Sequence, residues 1–319
     1  MAYTGTGDVS SDTAAFQQLA YFAFRSQPMY EMVADVRSTA QTHNGASVQF
    51  NIYDNMAQAT SALTETSDVT AVALGDSTVV VTLAEYGNAV ITTAKLRGTS
   101  FLNVDADAAN IIGYNMVDSM DKIVSDVANG GTNVIYAQGS AGSRPTSRGA
   151  VSDAATFGAQ EARMAVADLR TASAPGFENG NYLGMIHPDV SFDLREQTAV
   201  TDVIQYQIRQ EGAAVRNGSI GVFGGIEWIE NPRAPILDDA GATSTTNVYQ
   251  TLVAGRQALA KAFSRAPGFG EDPSVVFGPV TDTLRRFHPV GWYHLVGHAI
   301  FRQAALQRIE SSSSIGDNT

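Results

Sequence analysis

The chain contains no cysteine among its 319 residues. This absence excludes a disulfide framework, a thiol nucleophile and the thiolate ligands of a structural zinc site. Charge is also scarce, because Asp, Glu, Lys and Arg together make up 16% of the residues, against about 25% in an average protein. A chain of this size with so few charges has a large uncharged surface to place, and such surfaces usually meet partners.

Basic residues are the scarcer of the two charge types. The sequence has 20 Lys and Arg against 32 Asp and Glu, for a formal net charge of -12, and its lysines are limited to Lys95, Lys122 and Lys261. Because phosphate binding requires a basic face, this balance argues against a conventional nucleic-acid binder.

Targeting and membrane segments are missing from the sequence as well. The first thirteen residues have neither the basic n-region nor the apolar core of a secretory signal. The longest apolar stretches, such as residues 295–301, fall short of the roughly 20 residues that a membrane helix needs. We therefore expect a protein made in a cytoplasm-like compartment, with no membrane partner.

The first third of the chain predicts an arm followed by a β ribbon. Residues 13–25 have helical spacing and a short second piece covers 29–36, whereas Val48, Phe50 and Ile52 alternate with polar residues as in a half-buried strand. Alternation resumes over residues 69–93. Two limbs of about 20 residues would reach about 65 Å, so the ribbon would lie on another subunit, unless turns fold the limbs back into an ordinary sheet.

The remainder alternates helical and strand patterns. Residues 103–129 predict a long helix with one apolar stripe and a cap at Asn103 or Asp105, and the polar segment 139–149 is the best internal boundary. Two further helices are predicted, one from Asp153 to 174 and one after His187 with Val200, Ile204 and Ile208 on one face. Strands are predicted at 182–186, at 220–229 and within 281–309, and a mixture of strand and helical turn at 248–263. Residues 238–247 are predicted to be a loop, and the Ser-rich C-terminal segment a loose tail.

Two groups of side chains have metal-like spacing. His294 and His298 are four apart, as in zinc proteases, but their alternating neighbours predict a strand that would separate the imidazoles by about 13 Å. Asn103, Asp105 and Asp107 match the first positions of a calcium loop, but the later Gly and Glu of that loop are missing. Helix capping explains these three residues without an ion.

The other candidate motifs are equally incomplete. The glycines at 221, 224 and 225 lack the spacing of a phosphate loop, and Asp238 and Asp239 fit a solvated turn. No Gly-x-Ser-x-Gly elbow exists, the sequon at residues 217–219 has no meaning outside a secretory route, and the pair Arg285 and Arg286 fits either a phosphate or an interface ion pair. We therefore predict no catalytic, cofactor-binding or metal residue, no cofactor and no enzymatic activity.

Four stretches, at residues 81–94, 105–124, 184–195 and 289–311, resemble the major capsid protein of tailed bacteriophages, which has the Hong Kong 97-type fold. The resemblance covers residues 45–310. It implies an α+β fold with an N-terminal arm, an extended β-hairpin loop, a peripheral domain with a long spine helix and an axial α/β domain. The implied ranges are 1–45 for the arm, 46–95 for the extended loop, 96–151 and 271–319 for the peripheral domain, and 152–270 for the axial domain.

The function implied by the resemblance is self-assembly into hexamers and pentamers of an icosahedral head that encloses double-stranded DNA. The implied location is the virion, assembled in the host cytoplasm, and the implied partners are the protein itself, a portal and, as an open option, a decoration protein. No Lys lies between residues 1 and 94, so we predict a shell without covalent cross-links. The chain also lacks a preceding scaffolding segment, so we expect a separate scaffolding protein.

Two alternatives remain open on the sequence alone. An encapsulin-type nanocompartment has the same fold but would enclose an enzyme and no genome. A soluble α/β enzyme would form a small fixed oligomer in place of large particles.

Overall fold

The computed structural model describes residues 30–36, 45–66, 68–100, 104–139, 144–177, 180–196, 219–264, 270–279 and 283–315. These residues form an α+β fold, as predicted. The helices are α1 (Ala94–Thr99), α2 (Val104–Asn129), α3 (Ala159–Thr171) and α4 (Pro188–Glu196), with short 3-10 helices at Tyr30–Val33, Arg148–Ala150 and Gln303–Ala305. The strands are β1 (Ala34–Val36), β2 (Ser47–Tyr53), β3 (Asp76–Thr82), β4 (Ala84–Thr93), β5 (Val134–Tyr136), β6 (Tyr182–Ile186), β7 (Ser219–Phe223), β8 (Ile226–Glu230), β9 (Ile236–Leu237), β10 (Val248–Ala254), β11 (Leu259–Phe263), β12 (Ser274–Phe277), β13 (Phe287–Ile300) and β14 (Leu306–Ser311).

The chain divides into two compact units. Among the described residues, the smaller unit comprises 87–100, 104–116, 273–279 and 283–293, and the larger unit comprises the rest. In the smaller unit β12 pairs antiparallel with the first part of β13. The predicted four-part division into arm, loop, peripheral and axial segments stays a prediction.

The larger unit is built on a seven-stranded mixed sheet with the order β5, β14, β10, β6, β8, β7, and β9 beside β10. The pairs β5–β14 and β6–β8 are parallel and the others are antiparallel. Every residue of β10 is buried. A strand buried on both faces requires a covering layer on each side of the sheet.

Two apolar clusters provide these layers. On one face, Leu169 of α3 and Leu194 of α4 pack with Trp228. On the other face, Val124 of α2 and Tyr30 pack with side chains of β10 and β14. The larger unit is therefore a three-layer structure in which the sheet lies between helices.

Helix α2 confirms the predicted long helix. After Met120, however, its buried face differs from the apolar stripe that the three-four spacing predicts, which continues through Ile123 and Val127. Ile123 and Val127 are only half-buried, whereas Asp121 and Ser125 are buried together with Val124 and Ala128. The cause is Tyr30, whose backbone N–H donates to Asp121 Oδ1 at 2.6 Å. Burial raises the pKa of the Tyr30 hydroxyl well above its usual value. The contact with Tyr30 therefore turns a polar part of the helix toward the core.

The β ribbon is shorter than predicted. Strands β2 and β3 pair over seven positions, from Ser47–Thr82 to Tyr53–Asp76, which at 3.3 Å per residue is about 23 Å. Residues 54–66 and 68–75 contain no strand. The alternation within residues 69–75 has no pairing partner among the described residues, so the pattern alone does not produce a strand there, whereas residues 76–82 and 84–93 form β3 and β4.

Three other predicted elements differ in detail. The helix expected from Asp153 begins at Ala159, because Asp153 instead accepts a hydrogen bond from Thr246 Oγ1. The single strand expected over 220–229 is the hairpin β7–β8, turned by Gly224 and Gly225 with φ of 66° and 88°, which are the positive values that a tight hairpin turn needs. Likewise, the segment 248–263 is two strands joined by a turn.

The Ser-rich tail is anchored for part of its length. Ser311 and Ser312 are buried, and the backbone N–H of Ser314 donates to Asp193 Oδ2 at 3.0 Å. The expectation of a loose tail is therefore wrong for these residues. The predicted arm helix at 13–25 and the face formed by residues 200–208 lie outside the described residues.

Candidate assembly surfaces

The described side chains that were singled out for their metal-like spacing lie on strand β13 and in the first turn of α2. His294 and His298 both lie on strand β13, which confirms the strand interpretation. Asp105, in the first turn of α2, forms a salt bridge with Arg97 and accepts a hydrogen bond from Thr92 Oγ1 at 3.2 Å. It therefore links α1 and β4 to the start of the helix within the smaller unit. Asn103 lies outside the described residues, and Asp107 lies in the same first turn.

The remaining motif residues occupy turns and strand ends. Asp239 has a φ of 52°, and its N–H donates to Asn247 Oδ1 at 3.0 Å. Gly221 lies at an irregularity of β7, where the pairing with β8 shifts register. Of the sequon, residues 217 and 218 lie outside the described residues and Ser219 begins β7.

Within the described ranges, no cluster of three or more His, Asp or Glu side chains could hold a metal ion. Among the helices that the structure describes, none is long and apolar enough to span a lipid bilayer. The absence of a catalytic, cofactor or metal site stays a prediction.

The most exposed apolar surface follows the extended loop, residues 46–95. Tyr53, Leu63 and Leu74 have exposed fractions of 72%, 75% and 69%. Other large apolar side chains that are exposed along this loop are Met56, Val69, Val72, Val80, Val90 and Ile91. Exposed apolar side chains in this number are typical of a protein-protein interface.

The base of the extended loop is packed on its own chain. Val48 of β2 and Val81 of β3 are buried against Ala260 and Ala262 of β11. Gly297 of β13 permits this approach, because a Cβ there would lie 2.3 Å from the carbonyl oxygen of Thr82. The apolar side chains of the loop therefore divide into a buried base and an exposed remainder.

A second exposed apolar surface lies in the smaller unit. All four residues of β12 are exposed, with Phe277 at 72%, and within the described residues β12 pairs only with β13. Beside it a shallow groove of about 600 Å³ is lined by β4, β12 and β13. An exposed, apolar edge strand can accept a further strand from another chain.

Charge is distributed unevenly between these surfaces. The sequence has no Lys or Arg between residues 38 and 94. By contrast, exposed basic side chains gather where the N–H of Ala94 donates to the carbonyl oxygen of Arg286 at 2.8 Å. These are Lys95, Arg97, Arg285 and Arg286. All charged side chains of residues 46–94 are acidic, among them Asp54, Glu65 and Asp76, so this part of the extended loop is opposite in charge to the basic end of the smaller unit.

The comparison with protein families identifies the kind of protein. A family model described as phage capsid protein matches residues 6–310. The chain belongs to the phage capsid protein family. It is a major capsid protein, a structural component of the phage head, as the resemblance in the sequence implied.

Solved capsid structures share the fold over nearly the whole chain. The chain is similar to the capsid of Ralstonia phage GP4, with a TM-score of 0.76 and 16% identity over 100% of this chain and 99% of that chain. It is also similar to the capsid of Helicobacter pylori bacteriophage KHP30, with a TM-score of 0.72 and 12% identity over 98% and 99%. For the capsid of cyanophage Pam1 the TM-score is 0.72 and the identity 14% over 96% and 97%. No curated protein matches the sequence.

Proposed function

We propose that this capsid protein assembles into the hexamers and pentamers of an icosahedral head that encloses double-stranded DNA, and that it has no enzymatic activity. One observation carries the proposal. The extended loop is anchored at its base by Val48 and Val81, while its outer apolar side chains are exposed in the isolated chain. In a capsid family member these side chains are available to contact a neighbouring subunit.

The physical basis of assembly is the repetition of modest contacts. Each apolar contact gains about 25 cal/mol per Å² of buried surface, and heterologous contacts that close around a rotation axis form rings. The acidic loop and the basic end of the smaller unit would attract each other between copies, which favours correct orientation. Many such contacts stabilise a shell although each is weak.

The same proposal includes the other partners. We expect a separate scaffolding protein and a portal, with a decoration protein as an open option, and assembly in the host cytoplasm before the subunit becomes part of the virion. The acidic net charge of -12 suits a container of DNA, since a strongly attractive wall would retain the genome.

Electron microscopy of the purified protein tests the proposed function. We expect icosahedral particles hundreds of ångströms across, and nuclease-protected duplex DNA in particles from infected cells. A small fixed oligomer would contradict shell assembly. Particles that enclose an enzyme and no nucleic acid would instead support a nanocompartment.

The shell is expected to hold together without covalent cross-links. The chain offers Lys95 only at the end of the extended loop, and the side chain of Lys261 is 3% exposed and paired with Glu31. Boiled particles should therefore migrate as a single band of about the subunit mass of 33.7 kDa on a denaturing gel. A ladder of multimers would refute this prediction.

Polar substitution of the exposed loop should weaken assembly without unfolding the subunit. The double variant Leu63→Asn with Leu74→Asn removes two apolar side chains that are 75% and 69% exposed. Burial of one leucine side chain at an interface contributes about 1.5–3 kcal/mol, and each substitution removes that contribution. We therefore expect at least a tenfold rise in the subunit concentration needed for assembly, measured by light scattering.

The matched control changes neighbouring polar positions of the same loop. Thr64→Asn with Thr70→Asn replaces two exposed threonines and should leave the assembly threshold unchanged. Equal thresholds for the two double variants would show that the apolar side chains do not contribute to the interface.

A further inference from the structure

The larger unit contains a buried group of ionisable side chains that the assembly contacts do not use. Lys261 lies on β11, where all five residues are buried, and its side chain is 3% exposed. Its ammonium group is paired with the carboxylate of Glu31, in the 3-10 helix Tyr30–Val33. This pair connects the N-terminal segment 30–36 to the sheet.

Two histidines share the surroundings of Lys261. In the antiparallel register Lys261 lies opposite His298, and directly opposed side chains lie on one face with Cβ atoms about 4.5–5.5 Å apart. His294 is four residues earlier on the same strand and therefore faces the same side. It is 2% exposed.

In the part of the chain that the structure describes, three of the four imidazole nitrogens lack the hydrogen-bond partner that buried polar groups normally have. Both ring nitrogens of His298 and Nε2 of His294 are buried without a hydrogen-bond partner among the described residues. A neutral imidazole needs one acceptor and one donor, and each unmet requirement costs stability. An apolar side chain of similar volume would avoid this cost, so the position retains groups whose distinctive property is binding a proton near neutral pH.

We propose that His298 and His294, together with Lys261 and Glu31, form a proton-binding site that releases residues 30–36 from the sheet in acid. At neutral pH the imidazoles are uncharged and the Lys261–Glu31 pair is the only charge pair of the four groups. A proton on His298 places a second positive charge opposite Lys261. Release of the segment lets water reach both cations.

Strand β1 has three residues and is the shortest described strand of the sheet that holds the site. It pairs with β11 over three positions, the last of which is Val36 with Lys261, and among the described strands it lies at one edge of its sheet. Glu31 is 44% exposed, so its carboxylate is hydrated readily on release. Short edge elements open at lower free energy than the core strands they cover.

The charges and the burial around the two histidines also favour the uncharged imidazoles while the segment is attached. Burial, and then the positive charge of Lys261, lower the pKa of His298 from 6.5 to about 4, while Glu31 acts in the opposite sense and His294 adds to the lowering. Burial and the charge of Lys261 also lower the pKa of His294, whereas the charges of Glu31 and Asp272 act to raise it. Because the pKa of His298 is lower while residues 30–36 are attached to the sheet, the attached state is fully favoured above pH 6.5. That stabilisation decreases as the pH falls from 6.5 towards 4.

Amide hydrogen exchange on purified shells tests the proposal. Between pH 7.5 and pH 5, after correction for the intrinsic pH dependence, we expect exchange of residues 30–36 to rise about 30-fold, which is the linkage expected for a pKa that moves from about 4 when attached to about 6.5 when released. Residues 182–186, in the buried strand β6, serve as the reference and should not respond. A response equal in both segments, or none in residues 30–36, would overturn the proposal.

Variants identify the residues responsible. His298→Gln keeps the size and polarity but cannot bind a proton, so the rise should fall below about threefold. Lys261→Met removes the neighbouring charge and should reduce the rise while leaving His298 in place. An undiminished acid response in His298→Gln would show that the proton binds elsewhere.

If a variant does not fold, the protonation of each histidine can be measured directly in the wild-type protein. The exchange of the imidazole C2 hydrogen follows the protonation state of each histidine. We expect the transition of His298 to lie well below pH 6.5 in the intact shell. A transition near pH 6.5 would contradict the proposal.

Discussion

Replacing Trp228 by Ala is expected to lower the free energy of unfolding of the subunit by about 3–5 kcal/mol. Trp228 is fully buried in strand β8, and its ring packs edge to face with Phe157 at a centroid distance of 5.6 Å. Gly184 of β6 accommodates the indole, because a Cβ at that glycine would lie 2.5 Å from the ring. Because the indole is fully buried and closely surrounded, its truncation leaves a cavity.

The loss should come from packing alone, since the indole nitrogen has no hydrogen-bond partner among the described residues. Urea denaturation of unassembled subunits measures it as a lower midpoint with an unchanged slope. Tyr53→Ala is the control, because Tyr53 is 72% exposed and should change stability by less than about 0.5 kcal/mol. A loss below 1 kcal/mol for Trp228→Ala would mean that α3 and α4 move in to fill the cavity.

Elements whose signal is local were predictable from the sequence. Helix α2 follows from its three-four spacing and from the two glycines at 130 and 131 that end it. Strands β2 and β6 follow from short apolar patterns, and the strand at His294 and His298 follows from alternation. In each case the side chains that define the element are neighbours in sequence.

Elements that depend on a distant partner were not predictable. The alternation at Val69 resembles that of β3, yet only β3 has a pairing strand in the described chain. The inward turn of Asp121 is caused by Tyr30, which is 91 residues away. The hairpin β7–β8 is a different case, because its Gly224–Gly225 turn is a local hairpin signal that the prediction of one strand over 220–229 treated as an interruption.

The same distinction between local and distant signals applies to the candidate interface and to the buried ion pairs. The uncharged character of the extended loop is visible in composition, so an interface there could be predicted. By contrast, the ion pairs of Lys261 with Glu31 and of Glu310 with Arg148 join residues 230 and 162 positions apart. No pattern within a strand indicates that its lysine or glutamate will be buried and paired.

Replacing Glu310 by Ala is expected to lower the free energy of unfolding by about 3–5 kcal/mol, because it leaves buried positive charge without its partner. Glu310 lies on β14 and its side chain is fully buried. Arg148 binds it with two nitrogens, at 2.9 and 2.6 Å. Arg308 Nε lies 2.9 Å from Oε1 with a side chain 10% exposed. Gln250 donates to the same oxygen at 3.2 Å.

The effect of Glu310→Ala should depend on pH. Burial alone would raise the pKa of Glu310, but the hydrogen bond from Arg148 and the charges of Arg308 and Arg148 outweigh it and hold the pKa below 4.5. The stabilisation is therefore fully present above pH 4.5 and is lost as the pH falls through the lower pKa of the folded state. Denaturation midpoints of wild type and Glu310→Ala should differ most above pH 5 and converge in stronger acid.

An exposed pair provides the control for this charge effect. Lys122 and Asp126 form an i,i+4 salt bridge on α2 with side chains 62% and 58% exposed, and pairs of this kind contribute about 0.3–0.5 kcal/mol. Lys122→Ala should therefore shift the midpoint only slightly at any pH. If Glu310→Ala behaved in the same way, water would have to reach Arg308 in the folded subunit, and the ion group would not be closed off from solvent on the face of β14 that carries Leu306 and Arg308.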